Sequence, residues 1–342
     1  MPKTGSLITY AVTRLILSLP MLFILLTVVF FVLRVIPGDP IAALLAEGTP
    51  PYIVEAVRHS LGLDRPYWEQ YLVYLAQIFT GNLGISIGQY FKGQSVLAVI
   101  LQRLPATAEL TIGAMLVASI IGVGTGLIAG VNRDKPVDLI VRLYGTIIFV
   151  IPIFWLGEIL QIVFAVNLGL LPAQGRFSGL DPPATVTGFY TIDSLLAGRI
   201  DKFFIALQHL VLPCLTLGLV LSGFFTKTVR ANLLRTISSD YVEAAKARGI
   251  PRGRIITRYA LKNALIPVVT VLGLQFAILF AGAVLTERTF SWPGMGSLLL
   301  LSINTADYPM IQGTIVVYAF IIVVISVIVD IINGLIDPRV RY

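Results

Sequence analysis

The chain has 342 residues, of which 56% are hydrophobic and 13% charged, with a mean hydropathy of +0.88 and a formal net charge of +7. So apolar a chain is not one water-soluble core, and a single cysteine with two histidines, His59 and His209, leaves no material for an intrachain disulfide or a thiol metal cluster. The basic excess is distributed by side of a membrane, as set out below, which argues against a nucleic-acid partner.

Six apolar runs reach the length of about 20 residues that crosses a bilayer. They are Leu15 to Leu33, Leu110 to Val131, Leu143 to Val166, Ile205 to Phe225, Ala264 to Thr286 and Ile311 to Val329, and they predict an all-α membrane protein with about six transmembrane helices. The first run follows Lys3 and Arg14; it is longer than a signal-peptide core and no small-residue cleavage site follows, so it reads as a retained span. Pro37-Gly38-Asp39-Pro40 then turns the chain out of the membrane. In the segment that follows, Pro50 and Pro51 open a short helix ending near Gly62. A second helix, Pro66 to Phe79, carries Trp68, Tyr71, Leu72, Leu75, Ile78 and Phe79 on one side, either to lie along the outer interface or to cap the spans. Residues 1–36, 37–109 and 110–342 accordingly read as first span, extracytoplasmic region and core domain.

Asn132 to Pro136 is a tight charged turn, and Leu171-Pro172-Ala173-Gln174-Gly175 opens an irregular loop of roughly 30 residues. With the N-terminus inside, 16 of the 25 Lys and Arg fall on the cytoplasmic side and 9 outside, which places both termini in the cytoplasm. The short tail Asp337 to Tyr342 is basic and anchors the inner end.

Asp240 to Pro267 is a basic island between two long apolar runs, and the cytoplasmic coupling loop is taken as 226–263. Asp240 and Glu243 stand three apart, as in a capping box with Asp240 as the cap. Gly249 can take the left-handed conformation that closes this helix, and Pro251 can open the next. Ala244 and Ala245 give the helix an almost bare face, suited to insertion into a partner's groove. No phosphate loop, HExxH zinc pair or GxSxG nucleophile elbow is present, so no catalytic residue is assigned, and any active transport must draw on another subunit or an ion gradient.

Asp240-Tyr241-Val242-Glu243-Ala244-Ala245-Lys246-Ala247-Arg248-Gly249 resembles the EAA loop of the membrane subunits of bacterial and archaeal ABC importers. Pro37-Gly38-Asp39-Pro40, Leu61 to Pro66, Gly81-Asn82-Leu83-Gly84, Phe290-Ser291-Trp292-Pro293-Gly294, Asp307-Tyr308-Pro309, Gln312-Gly313 and Asp337-Pro338-Arg339 look like the first permease of the dipeptide/oligopeptide importer family, over nearly the whole chain. The resemblance implies a type I importer permease fold. It also implies a second permease as partner, an extracytoplasmic solute-binding protein, and two cytoplasmic ATPase subunits that carry the ATP and Mg while this chain binds no cofactor. Asp240, Tyr241, Glu243, Ala244, Ala245, Ala247, Arg248 and Gly249 would then dock into the ATPase. Two features depart from the pattern: the stretch from Gly249 to Pro267 is longer than in the short general EAA loop, though it suits the peptide subgroup, and the outer loop Gln174 to Lys202 is longer than in many members. Oligosaccharides and nickel are carried by similar permeases, and an ion-coupled secondary transporter is the reading from outside the family.

Charges within the bilayer are costly and tend to face a cavity or partner. Glu158 in the third run faces the translocation path or the partner permease, or is a neutral packing glutamate; His209 in the fourth is a path residue or a packing histidine.

Overall fold

The computed structural model describes residues 7–35, 49–60, 62–179 and 181–336. The Pro37-Gly38-Asp39-Pro40 turn, Leu61 and the basic tail lie outside the described residues. Helix α1 spans Leu7–Phe30 and runs on through a π turn at Phe31–Val35. Next come α2 (Pro51–Ser60), α3 (Tyr67–Phe79), α4 (Val96–Val131), α5 (Pro136–Val150) and α6 (Ile153–Leu160), the last continued by a π turn at Gln161–Asn167. Helices α7 (Tyr190–Leu196), α8 (Ile200–Ile237), α9 (Asp240–Ala247), α10 (Arg252–Arg254) and α11 (Leu261–Gly282) follow, with a π turn at Ile255–Ala260 before α11. The chain closes on α12 (Val284–Thr289), α13 (Met295–Asn304) and α14 (Tyr308–Ile336).

Among the described residues five helical segments are long and apolar enough to cross a membrane, Thr9–Val35, Val96–Val131, Ile200–Ile237, Arg252–Phe280 and Tyr308–Leu335; the sixth candidate is the pair α5 and α6, bent by 102°. The third apolar run is thus broken. Ile151 precedes Pro152, whose ring drives it into the extended conformation seen there (φ −64°, ψ 128°) and ends α5.

The long helices outrun the apolar segments that announce them. At 1.5 Å per residue the 36 residues of α4 and 38 of α8 measure about 54 and 57 Å, well beyond a hydrocarbon core of about 30 Å. They form the most extensive helix pair of the fold. Gly122, Gly126 and Gly130 of α4 face Phe225, Val229 and Leu233 of α8 in register; a Cβ on these glycines would come within 2.5–2.7 Å of those side chains. The pair continues toward its other end through Ala106, Leu110 and Ala114 against Leu210, Cys214 and Leu217, closed by Trp292. Helix α14 lies beside both α1 and α11.

On α3, Tyr71, Tyr74, Leu75 and Ile78 pack on Leu26, Phe30 and Val316, while Trp68, Leu72 and Phe79 stay exposed. The aromatic stripe therefore caps the spans with one edge and offers the other outward. The bundle has a basic end, carrying the 132–136 turn and α9–α10, and an opposite end, carrying α2, α3, the loop 168–199 and α12–α13.

Candidate coupling site

At the basic end α8 stops at Ile237, and Ser238 and Ser239 lead into α9. The N-cap of α9 is Ser239, one residue before Asp240, and no side chain caps it. The expected capping box does not form. Ser239 Oγ donates instead to the Thr236 carbonyl at 2.6 Å, closing α8 with the hydroxyl that would have capped α9. Asp240 and Glu243 occupy the first turn, where their charges favour the helix dipole.

The far end of α9 forms as the sequence predicts. Gly249 has φ +70°, its N–H donates to the Lys246 carbonyl at 2.9 Å, and Ile250 N–H donates to the Ala245 carbonyl at 3.2 Å, the paired closure of a Schellman motif. Ile250 then packs with Val242, Ala245 and Ile255 in a small core beneath the helix. The two alanines therefore divide: Ala245 is buried and only Ala244 is exposed. With Ala244, the residues Asp240, Tyr241, Glu243, Ala247, Arg248 and Gly249 make an exposed surface. Tyr241 is tied to α11 by Asn263 Nδ2, which donates to its hydroxyl at 2.9 Å.

A fully buried carboxylate anchors this end. Asp138 of α5 accepts from Arg230 of α8 through Nε at 2.6 Å and Nη2 at 2.8 Å, and from Asp134 N–H at 3.1 Å. The bidentate guanidinium fixes the last two turns of α8 to α5 and to the 132–136 turn. The partners stand 92 residues apart, and no local pattern in the sequence announces them.

The two residues expected on the path are not brought together. Glu158 lies on α6 with its side chain on the exposed surface of this chain, so packing within the chain does not account for it. His209 is buried; its Nδ1 donates to the Gly175 carbonyl at 3.0 Å, and Nε2, left as the acceptor, takes the Ser178 hydroxyl at 2.5 Å. Packing the loop against α8 occupies both ring nitrogens.

Residues 122–342 match the family model described as binding-protein-dependent transport system inner membrane component, and residues 7–111 match its N-terminal companion. The chain belongs to this family. As a member of it, the protein is a multi-pass inner-membrane component of a transport system. It is 39% identical to the dipeptide transport system permease protein DppB of Alkalihalophilus pseudofirmus, over 98% of this chain and 100% of that protein. To the probable D,D-dipeptide transport system permease protein DdpB of Escherichia coli it is 42% identical, over 92% of each. To the glutathione transport system permease protein GsiC of Escherichia coli it is 33% identical, over 98% and 100%. The expected resemblance to the first permease of dipeptide importers is matched by these names.

In this inner-membrane component the end opposite α9 is also fastened by buried charge. Glu109 of α4 accepts from Arg176 Nη2 at 2.6 Å and from Thr191 N–H at 2.9 Å, and Arg176 also donates to the Gly188 carbonyl at 2.6 Å while lying over the Tyr190 ring. Asp193 accepts from the amides of Val186, Thr187 and Gly188. The loop 168–199, irregular by composition, is thus a built cap containing α7. Glu109 and Arg176 stand 67 residues apart in the chain, and no local pattern in the sequence joins them. Among the described residues no three His, Cys, Asp or Glu side chains cluster in a way that could hold a metal.

Proposed function

We propose that this chain is the transmembrane permease subunit of an ATP-driven importer. It forms with a second permease the path for di- and oligopeptides that a solute-binding protein delivers, and two ATPase subunits holding ATP and Mg drive the cycle. Both termini face the cytoplasm in this reading, and the chain itself hydrolyses nothing. The observation that carries the proposal is α9. It is a short helix with a closed C-terminus, seated on its own small core, and it leaves Asp240, Glu243, Ala244, Ala247 and Arg248 uncovered at the end of the two longest helices. Such a surface suits an ATPase cleft, and α8 and α11 lead from it into the membrane. The relatives named for dipeptides and glutathione favour peptide cargo over oligosaccharide or nickel.

The test is to purify the chain with its candidate partner subunits, reconstitute them in vesicles, and record ATP hydrolysis with and without the binding protein. Native protein should show stimulated hydrolysis. The double variant Glu243→Ala with Gly249→Pro should assemble and lose the stimulation, since Pro cannot adopt the positive φ of Gly249. Failure of any ATPase to associate would leave a gradient-driven carrier as the better reading.

A further inference from the structure

At the end opposite α9, a cavity of about 410 Å³ opens between the start of α4 and the α12–α13 turn. Its polar wall is Arg103, Arg288, Ser291, Ser297 and Asn304, with Glu287 behind, and its apolar floor is the partly exposed Pro293, Leu300 and Leu301. The volume falls in the range of about 300 to 1,000 Å³ typical of small-molecule sites.

The cavity's charge is unbalanced. Arg103 is half-buried, and among the described residues its guanidinium meets the Phe91 ring at 5.8 Å but no carboxylate within ion-pair distance. Glu287, the acid behind it, is committed elsewhere: Oε1 accepts from the Thr107 hydroxyl at 2.6 Å and Oε2 from Ser297 N–H at 2.8 Å, with none of its surface exposed. Arg288 stands exposed at the rim, also without an ion pair among the described residues. A guanidinium held partly out of water, with its nearest acid already taken up by other donors, is an arrangement that an anion relieves, and its planar fork matches a carboxylate through two parallel hydrogen bonds.

We propose that this cavity is a substrate subsite within the permease, in which Arg103 and Arg288 take the free C-terminal carboxylate of a small peptide while Pro293, Leu300 and Leu301 hold its terminal side chain. Ser291 and Asn304 are placed to meet the peptide's amide groups. The proposal rests on the importer reading above and adds a recognition step after release from the binding protein. A phospholipid phosphate at the membrane boundary offers the guanidinium a similar partner, so the experiment separates the two sources.

The complex is purified in lipid nanodiscs without the binding protein and titrated with radiolabelled dialanine and with dialanine amide. The free acid should bind at least about tenfold more tightly than the amide, the weight of one charge-assisted hydrogen-bonded pair. Arg103→Gln should lose that discrimination while still assembling with the ATPase subunits, and Arg103→Lys should keep part of it. Equal binding of acid and amide by the native complex needs no variant and overturns the proposal. So does a phospholipid found by native mass spectrometry that departs in Arg103→Gln and competes with dialanine. Loss of permease pairing in Arg103→Gln would show that a partner's carboxylate fills the cavity, and likewise overturns it. If no ATPase accompanies the native chain, the importer reading fails; if ATPase accompanies it and dialanine does not bind, only the subsite fails.

Discussion

Glu287 has no exposed surface, and burial pushes its carboxyl up to about 7 from an ordinary 4.5; the Thr107 hydroxyl, the amides of Ser297 and Gly296, and the charge of Arg103 pull it part of the way back. An acid whose folded pKa is raised binds its proton more tightly in the native state than in the unfolded one. Its contribution to stability is therefore greatest below pH 4.5 and is lost as pH climbs from there through about 7. The full difference is about 3 kcal/mol at 1.36 kcal/mol per pH unit. Thermal unfolding of the purified complex, followed by tryptophan fluorescence, should show a midpoint that falls between pH 5 and pH 8, and Glu287→Gln should flatten that slope and stand above native protein at pH 8. A native slope unchanged in Glu287→Gln would assign the pH dependence to other groups. The sequence contained every partner in this cluster, Thr107, Glu287, Trp292 and Ser297, yet gave no means of joining residue 107 to residue 287 across 180 positions. Glu158, singled out for the charge it places within an apolar run, proved exposed on this chain, while the buried acids Glu109, Asp138 and Glu287 stand just outside the apolar runs, where charge looks unremarkable.

Elements were more legible than contacts, because an apolar run of bilayer length has few alternatives to a helix. All six runs are mostly helical, the third interrupted at Ile151-Pro152 and the fifth at Ala283, but the ends of α4 and α8 could not be read from hydropathy, since both continue into polar surroundings where tertiary packing holds them. The break at Ile151-Pro152 was legible in principle from the proline and was masked by the unbroken apolarity around it. The same holds for the glycines of α4, whose recurrence at every fourth position from Gly122 to Gly130 is the small-residue signature of closely packed membrane helices. There the consequence is measurable. Gly126→Leu would drive its side chain into Val229 and the Thr226 carbonyl, and overpacking of this kind costs about 1 to 3 kcal/mol. Gly124, on the same helix with nothing within 4 Å, is the control. Gly126→Leu should lower the unfolding midpoint and the yield of assembled complex, and Gly124→Ala should leave both unchanged or slightly raised.

At the scale of the whole molecule, α9 is joined to the membrane by two routes that the Asp138–Arg230 pair makes into one. Helix α8 runs without a break from Ile200 to Ile237, so a displacement of α9 reaches the loop cap at Gly175 and Ser178 through the same rod that carries His209. Arg230, about two turns before the end of that rod, grips Asp138 of α5, whose 102° bend turns into α6 and Glu158. A pull on α9 therefore passes from α8 to α5 at this end through the pair, beside the Tyr144–Ser222 hydroxyl contact and the Gly145–Gly223 packing farther along. Removing one partner of a buried pair costs about 3 kcal/mol or more, because the other charge is left uncompensated, whereas removing both with apolar replacements is often near neutral. Asp138→Ala alone should lower the unfolding midpoint of the complex. Asp138→Ala with Arg230→Met should restore most of that midpoint and still transport fewer substrate molecules per ATP hydrolysed than native protein, because the two helices are no longer locked in step. If the double variant couples as well as native protein, the pair serves stability alone and the motion of α9 reaches the membrane through α8 and α11 without it.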